Sequence, residues 1–144
     1  MYVFREAIVE DIFYLEELYR VLNRNQDTTV VPERIQQLEK DPDNFLFVVC
    51  YEGKVIATIS LGICLNGAFS NSKYGVIENI IVDEHYRKIG IGKIMLEKVE
   101  FFCKKAGCTK IMIFSSNDRI EAHNLFREKG FDDKIGVAFK KYLG

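Results

Sequence analysis

Apolar residues along the chain alternate between two spacings, one typical of helices and one typical of strands. Steps of three and four predict a first amphipathic helix that begins near Asp11, through Ile12, Leu15, Leu18, Tyr19 and Leu22. A shorter helix is predicted to begin at Pro32 and to end before residues 41–43. A third helix runs from Gly90 to Gly107, and a fourth ends at Gly130.

Strands are predicted between and around these helices. Runs rich in apolar and β-branched residues cover residues 2–6, 45–51, 55–63 and 110–114, and another run ends at Val82. Residues 52–54 predict a hairpin turn in which Gly53 takes a positive φ. Phe131 and residues 137–142 are predicted to supply the last strand. Since no linker, repeat or low-complexity tract interrupts this order, we expect one domain over residues 1–144.

Composition narrows the class of protein. The 144 residues, 48% of them hydrophobic, are enough for one buried core. A net charge of −1, from 20 basic and 21 acidic residues, argues against a nucleic-acid or anionic-membrane partner. The sequence shows no signal peptide and no apolar run of roughly 20 residues, so we expect a cytoplasmic protein.

Cysteine placement gives no sign of a metal site. The four cysteines form no Cys-x-x-Cys pair and lie mostly in apolar segments, which favours buried free thiols over a disulfide or a metal centre. They are Cys50, Cys64, Cys103 and Cys108. We therefore expect no metal cofactor.

The segment from Val76 to Gly92 is the most informative part of the chain. It runs from an apolar strand through a turn containing glycine into an amphipathic helix. The first N–H groups of a helix lack intrahelical partners and carry the positive end of its dipole, so a pyrophosphate is the expected guest. Gly90 and Gly92 are predicted to let the backbone approach the phosphates, with Arg87, Lys88 and Lys93 adding positive charge.

Two common phosphate-binding motifs do not match this segment. A dinucleotide fingerprint requires a third glycine where Met95 stands. A P-loop requires glycine in place of Arg87 and a hydroxyl residue in place of Ile94. The sequence therefore keeps the general anion-binding layout but excludes these two specific forms of it.

What residues 87–92 do resemble is the acetyl-CoA signature of the GNAT N-acetyltransferase superfamily, Arg or Gln followed by x-x-Gly-x-Gly or Ala. Residues 117–131 resemble the C-terminal GNAT motif, a helix carrying Ala-x-x-x-Tyr that ends at Gly-Phe, here with Ala122, Phe126 and Gly130-Phe131. The two motifs lie in family order and at family spacing. With Arg5-Glu-Ala7 and Asp11 as a common family opening, the resemblance covers nearly the whole chain.

The resemblance implies an α/β (α+β) fold, with a mixed, mostly antiparallel sheet flanked by about four helices. The two central strands, ending near Val82 and Phe114, are expected to splay apart and admit acetyl-CoA as co-substrate, whose pantetheine arm borrows backbone groups of the first strand. Asn117 resembles a cofactor-contacting position, although a turn or helix-cap role competes. The implied cofactor-binding residues are Ile80, Ile81, Val82, Arg87, Lys88, Ile89, Gly90, Ile91, Gly92, Lys93, Asn117 and Phe126.

The implied reaction is acetyl transfer to an amine through a tetrahedral intermediate, with a backbone N–H near Val82 as the oxyanion donor. Glu78 is our first choice as the base that takes the amine proton, acting on the same strand face as Ile80. The alternative is a carboxylate that is partly exposed or paired with a cation. Family members commonly place at position 126 a tyrosine that protonates the leaving thiolate; Phe126 lacks the hydroxyl.

Other proton donors are therefore considered. His123, on the same helix as Phe126, is a candidate catalytic residue, with a structural hydrogen bond as the alternative. His85 and Tyr86 are expected in an exposed loop. Phe126 also opens a rival function, an acyl-CoA-binding module without efficient transfer.

The acyl acceptor is expected to be a small primary amine. Residues 117–131 resemble GNAT members that act on small amines, while acetylation of a protein N-terminus or lysine is the alternative substrate class. Residues 23–31 and 66–73 are expected to select the acceptor because both are polar loops. Many relatives pair through edge strands or C-terminal segments, so a homodimer is also predicted.

Overall fold

One five-stranded sheet organises the computed structural model, which describes residues 1–23, 26–69 and 71–144. Its strands, which lie side by side in chain order, are β1 (Tyr2–Glu6), β2 (Asn44–Tyr51), β3 (Lys54–Leu65), β4 (Lys73–Val82) and β5 (Cys108–Ile113). Strands β1 to β4 are antiparallel, and β5 is parallel to β4. The helices are α1 (Ile12–Leu22), α2 (Pro32–Lys40), α3 (Ile91–Ala106) and α4 (Ile120–Glu128). The predicted mixed, mostly antiparallel sheet with four helices is confirmed.

Helices on both faces of the sheet give the protein two apolar cores. Met95 and Val99 of α3 pack with Ile77 and Ile80 of β4, and α4 adds Phe126 to the same core. On the opposite face, a second core holds residues of α1, α2 and the sheet, including Leu15, Leu18, Ile35, Val48 and Ile81. Strands buried on both faces are nearly continuous apolar runs, as β2 and β3 are.

The β2–β3 hairpin turn has the predicted chemistry. Glu52 has a φ of 49° and Gly53 a φ of 78°. Two successive residues with positive φ are typical of a tight two-residue hairpin, whose twist matches that of the strands. The prediction for Gly53 is confirmed, and Glu52 shares the left-handed conformation.

Strands β4 and β5 pair over only part of the length of β4. The paired residues run from Lys73 opposite Cys108 to Ile77 opposite Ile113, whereas β4 continues to Val82 beside β3 alone. Strand β5 ends at Ile113, so β4 continues past Ile77 without its parallel neighbour. The predicted opening between the two strands is confirmed, and it leaves one edge of residues 78–82 without a neighbouring strand among the described residues.

A β-bulge lies at the start of the separated part of β4. Glu78 pairs with Ser60 and Ile81 with Thr58, so Asn79 and Ile80 together oppose Ile59. Asn79 has a φ of 53°. The extra residue shifts the alternation of side chains between the two faces.

The bulge changes which residues share a face of the sheet. Ile77 and Ile80, three positions apart, both belong to the core under α3, while Ile81 belongs to the other core. The expectation that Glu78 lies on the same face as Ile80 is therefore wrong. Simple alternation fails because it does not count the inserted residue.

The C-terminal residues differ from the prediction. The structure has no strand after α4 among the described residues, so the expected last strand at Phe131 and residues 137–142 is wrong. Several apolar side chains of this tail are exposed, among them Val137 at 80% and Phe139 at 93%. The apolar pattern is strand-like, but a strand forms only where a neighbouring edge accepts its hydrogen bonds.

Two smaller findings complete the fold. Arg119 is the N-cap of α4, and no side-chain hydrogen bond caps this end of the helix. Among the described residues, no helix is long and apolar enough to cross a membrane.

A buried ion pair joins β1 to the start of α1. Arg5 donates from Nη1 to Asp11 Oδ2 at 2.7 Å and from Nη2 to Asp11 Oδ1 at 3.0 Å, and the Ile8 N–H donates to Oδ2 at 2.8 Å. Burial favours a raised pKa for Asp11, but these hydrogen bonds outweigh it and hold the pKa below its ordinary value of 3.8. Arg5 and Asp11, the residues of the family-like N-terminal segment, thus form an ion pair that stabilises the fold.

We predict that Asp11→Asn lowers the free energy of unfolding by about 1.5–3 kcal/mol at pH 7, because charged hydrogen bonds are lost. A carboxyl whose folded pKa is lowered stabilises the protein above its unfolded pKa, and the contribution disappears as pH falls through the folded pKa. Urea unfolding at pH 7 and at pH 3 measures both effects.

The exposed carboxylate of Asp43 supplies the control, since no side-chain hydrogen bond or ion pair involves it among the described residues. Asp43→Asn should change the unfolding free energy little at either pH. A loss for Asp11→Asn as large at pH 3 as at pH 7 would show that the charge of Asp11 is not the stabilising feature.

Candidate functional site

A cleft of about 860 Å³ opens where β4 and β5 separate. Three segments form its walls: the end of β4, the turn leading into α3, and the first turns of α4. Leu22 and Val21 at the end of α1 close one side. The cleft therefore lies along the unpaired edge of β4.

The backbone of β4 presents alternate residues to this cleft. Asp83 N–H donates to the Ile56 carbonyl at 2.8 Å, beside the pair Val82–Ala57. This bond makes Val82–Ala57 a non-hydrogen-bonded pair, in which the N–H and C=O of Val82 point away from β3 and into the cleft. The N–H and C=O of Ile81 then point towards β3. The backbone groups of Ile80, like those of Val82, point into the cleft.

Two guanidinium groups donate hydrogen bonds to carbonyl oxygens of this edge. Arg119 Nη2 donates to the Ile80 carbonyl at 2.7 Å, and Arg87 Nε donates to the Val82 carbonyl at 2.9 Å. Burial lowers the pKa of Arg119, and the nearby positive charge of Arg87 lowers it further. Two mutually repelling cations in one cleft favour an anionic ligand.

The turn into α3 adds uncapped backbone donors to the same cleft. Lys88 has a φ of 64° and Gly90 a φ of 92°, and Gly90 is the N-cap of α3 without a side-chain hydrogen bond to it. An added Cβ at Gly90 would meet nothing within 4 Å, so the positive φ is what requires glycine there. The free N–H groups of the first helical turn suit an anion.

Gly92 lines the cleft and also has a packing role that was not predicted. A Cβ at Gly92 would lie 2.8 Å from Leu125 Cδ2 of α4. The glycine therefore makes room for the Leu125 side chain between α3 and α4. This contact joins two helices that are distant in the sequence, so local spacing does not reveal it.

A second cavity of about 640 Å³ lies on the opposite face of the sheet, next to α1 and α2. Its apolar wall includes Ile35, Leu38 and Leu61. Its polar lining residues are Tyr19, Thr29, Arg34, Asn44, Ser60, Glu78 and Asn79. Burial raises the pKa of the Tyr19 phenol, and the neighbouring hydroxyls of Thr58 and Ser60 oppose this rise.

Consecutive residues of β4 on either side of the bulge line different cavities. Glu78 and Asn79 line the second cavity, and the next residues, Ile80 to Val82, line the cleft. Glu78 is exposed, and no ion pair or side-chain hydrogen bond involves it in the described part of the chain. The alternative in which Glu78 pairs with a neighbouring cation therefore finds no support.

Most predicted cofactor-binding residues lie together in the cleft. Those lining it are Ile80, Ile81, Val82, Arg87, Lys88, Gly90, Ile91, Gly92, Lys93 and Phe126. Ile89 and Asn117 are exposed and are not among the lining residues. The predicted acceptor loops contribute Thr29, Val30 and Val31 to the second cavity; positions 24, 25 and 70 of these loops lie outside the described residues.

The predicted proton donors are distributed differently. His123 Nε2 lies 3.2 Å from Ser115 Oγ and does not line either cavity. Phe126 is buried and packs against Phe131 with ring centroids 6.2 Å apart. Tyr86, expected in an exposed loop, is half-buried and lines the cleft.

Arg119 is the cleft residue that sequence analysis missed in favour of Asn117. A sequence signal for it did exist: the residue stands at the start of α4, where a positive charge opposes the helix dipole. A cation at that position suggests a role other than helix stability. Its contact with Ile80, which is 39 positions away along the chain, is revealed only by the fold.

The geometry offers no candidate metal centre among the residues described. No group of three or more His, Cys, Asp or Glu side chains is placed there to hold an ion. Cys103 is buried, and burial together with Cys108 raises its pKa to about 12. The four cysteines are free thiols.

Sequence comparison identifies relatives that transfer acetyl groups. A model of the family described as "Acetyltransferase (GNAT) family" matches residues 11–131. Glucosamine 6-phosphate N-acetyltransferase 1 of Dictyostelium discoideum is 32% identical over 114 residues, covering 77% of this chain and 70% of that protein. An amino-acid acetyltransferase of Pseudomonas putida is 30% identical over 129 residues; the match covers 90% of this chain but 27% of that protein.

Solved structures share the fold. A putative acetyltransferase from Agrobacterium tumefaciens is 26% identical with a TM-score of 0.83, covering 96% of this chain and 99% of that one. An aminoglycoside N-acetyltransferase in complex with CoA has a TM-score of 0.81 at 15% identity, covering 99% of this chain and 95% of that one. The family match and the named relatives show that this chain is an acetyl-transferring enzyme and belongs to the acetyltransferase (GNAT) family.

Proposed function

We propose that the enzyme transfers the acetyl group of acetyl-CoA to the primary amine of a small molecule, by direct attack through a tetrahedral intermediate. One observation carries this proposal: adjacent residues of β4, Asn79 and Ile80, line a second, partly polar cavity and a cleft with an anion-binding end. A thioester held in the cleft and an amine held in the cavity would meet at this point of β4.

The chemistry of the cleft fits acetyl-CoA. The uncapped first turn of α3 and the side chains of Arg87 and Arg119 suit the pyrophosphate. The pantetheine arm would lie along β4 as an added strand, accepting a hydrogen bond from the Val82 N–H. A pantetheine N–H needs the Ile80 carbonyl, so Arg119 would leave that carbonyl and become free to bind phosphate.

Glu78 is the proposed base. An aliphatic amine has a pKa of about 10 and is mostly protonated at neutral pH, so it must lose a proton before attack. The unpaired Glu78 carboxylate lines the acceptor cavity next to the bulge. It would take the amine proton directly or through a water molecule, after which the amine nitrogen attacks the thioester carbon.

Collapse of the intermediate breaks the carbon–sulfur bond and releases the CoA thiolate. Phe126 has no proton to give, and the ring of His123 is bonded to Ser115. We propose that the thiolate leaves unassisted and takes a proton from solvent, which also receives the second proton lost by the former amine nitrogen as the amide forms. The oxyanion donor is proposed to be the Ile80 N–H of the cleft-facing edge, since the Asp83 N–H is already bonded to Ile56.

The small size of the acceptor follows from the cavity. A volume of about 640 Å³ is typical of a small-molecule site. The relatives named for glucosamine 6-phosphate and for amino acids also favour a small amine over a protein substrate. Since these relatives are N-acetyltransferases, they also favour transfer over binding of acyl-CoA without transfer.

We further propose a homodimer and keep the cytoplasmic location as a prediction. Strand β5 is an edge strand, and its Met112 and the adjoining Phe114 are exposed. The tail runs beside its end, with Lys140 Nζ 4.4 Å above the Phe114 ring, and exposes Val137 and Phe139. An exposed edge and an exposed apolar tail on one side of the protein favour association of two copies.

We predict that Arg119→Gln weakens acetyl-CoA binding by about 10- to 100-fold, which corresponds to one charge-assisted hydrogen bond. The dependence of affinity on salt should also decrease, because one cation fewer faces the phosphates. Isothermal titration calorimetry at two salt concentrations measures both. Lys105→Gln, at the far end of α3, is the control and should bind normally; an unchanged affinity in Arg119→Gln would contradict the assignment.

We predict that Glu78→Gln lowers kcat by about 10²- to 10⁴-fold, the usual contribution of a general base. The affinity for acetyl-CoA should stay unchanged because Glu78 lines the other cavity. Thiol release with a panel of amino sugars, amino acids and polyamines gives kcat, and calorimetry gives the affinity. Glu10→Gln, a surface change outside both cavities, controls for loss of a carboxylate; full activity in Glu78→Gln would require another base.

We predict that the protein sediments as a dimer at micromolar concentration and that Phe139→Asp makes it monomeric, because a charge is placed in the apolar tail. Sedimentation velocity over a range of concentrations measures the assembly. Phe101→Asp, which changes an exposed phenylalanine on α3, should leave the dimer intact. A wild-type protein that is monomeric throughout this range would refute the proposed dimer.

A further inference from the structure

We infer that the acceptor amine carries an anionic group, a carboxylate or a phosphate, and that Arg34 of α2 binds it. This inference rests on the proposed function, because it assigns a substrate class to the acceptor cavity. Arg34 and Glu78 are the two charged residues that line this cavity among the described residues. They have opposite signs and come from different elements, α2 and β4.

Neither charge is neutralised by the protein in the described part of the chain. No ion pair and no side-chain hydrogen bond involves Arg34 or Glu78, and none joins them to each other. By comparison, Arg5, Arg87, Arg119 and Arg127 all donate to a partner. A free cation and a free anion in one cavity leave both available to a ligand.

The position of Arg34 in α2 adds to the argument. Arg34 lies in the first turn of this nine-residue helix, whose N-cap Val31 offers no side-chain hydrogen bond. A cation there opposes the helix dipole, so Arg34 does not stabilise the helix end. Glu33 of the same turn matches the dipole and does not line the cavity, so the Arg34 guanidinium is the group that offers positive charge to a ligand there; Val31 lines the same cavity.

These charges distinguish between classes of amine. A plain ammonium ion would be attracted by Glu78 but repelled by Arg34. An amine with an anionic group matches both, with its amine beside Glu78 near the bulge and its anion beside Arg34. The apolar wall formed by Ile35, Leu38 and Leu61 would contact the carbon skeleton between them.

The experiment compares acceptors that differ only in the anionic group. Glucosamine 6-phosphate is paired with glucosamine, 2-aminoethylphosphonate with ethanolamine, and γ-aminobutyrate with its amide. Wild-type enzyme should show a kcat/KM about 10- to 100-fold higher for the anionic member of at least one pair, chiefly through KM. The pair that responds distinguishes a phosphate or phosphonate from a carboxylate.

Variants at position 34 test the residue itself. Arg34→Gln should remove the preference by raising KM for the anionic acceptor, with kcat for the neutral acceptor and affinity for acetyl-CoA unchanged. Arg34→Lys should restore part of the preference, since the charge remains. Lys40→Gln, on the same helix but outside the cavity lining, should retain the preference.

A binding measurement makes the test independent of turnover. The Arg34 Nε–H resonance, assigned by its loss in Arg34→Gln, should shift when glucosamine 6-phosphate or γ-aminobutyrate is added and stay unchanged with the neutral partners. No shift with any anionic amine, or equal kcat/KM within every pair, would overturn the inference while acetyl transfer to amines stood. Absence of transfer to every amine, with the resonance still shifting, would instead contradict the proposed function.

Discussion

The incomplete pairing of β4 with β5 is the constraint on which the rest of the site depends. Parallel strands that stay paired to their ends offer no free backbone groups, whereas here β4 continues past Ile77 with one edge unpaired. That edge must be satisfied, since buried backbone groups without partners are costly. Arg119 and Arg87 satisfy two of its carbonyls, and in doing so they bring positive charge into the cleft.

The bulge at Asn79 converts this edge into a junction between two sites. One inserted residue puts Glu78 and Ile80 on opposite faces of the sheet, so that consecutive residues of one strand line separate cavities. In a strand without the bulge, Glu78 and Ile80 would lie on the same face of the sheet. The left-handed φ of Asn79 shows where the chain makes this adjustment, and asparagine tolerates that conformation better than most residues.

Electrostatics then separates the roles of the two cavities. The cleft holds a concentration of positive groups, formed by Arg87, Arg119 and the start of α3, which suits a polyanionic co-substrate. The acceptor cavity holds one charge of each sign, on Arg34 and Glu78. Arg34 lies in the first turn of α2, and Arg119 is the N-cap of α4. At these positions a positive charge is repelled by the helix dipole, and each of the two residues lines a cavity.

The sequence by itself determined the family, the element order and the anion-binding turn. Periodicity located α1 to α4, and residues 87–92 located the start of α3, because local spacing and capping glycines depend on near neighbours. It did not predict that the tail after Phe131 lacks a strand, because pairing depends on a distant edge. Nor did it predict the contact of Gly92 with Leu125, the reach of Arg119 to Ile80, or the face of Glu78. These were decided by the tertiary structure, since each depends on the separation of two strands, an inserted residue or the packing of two helices far apart in the chain.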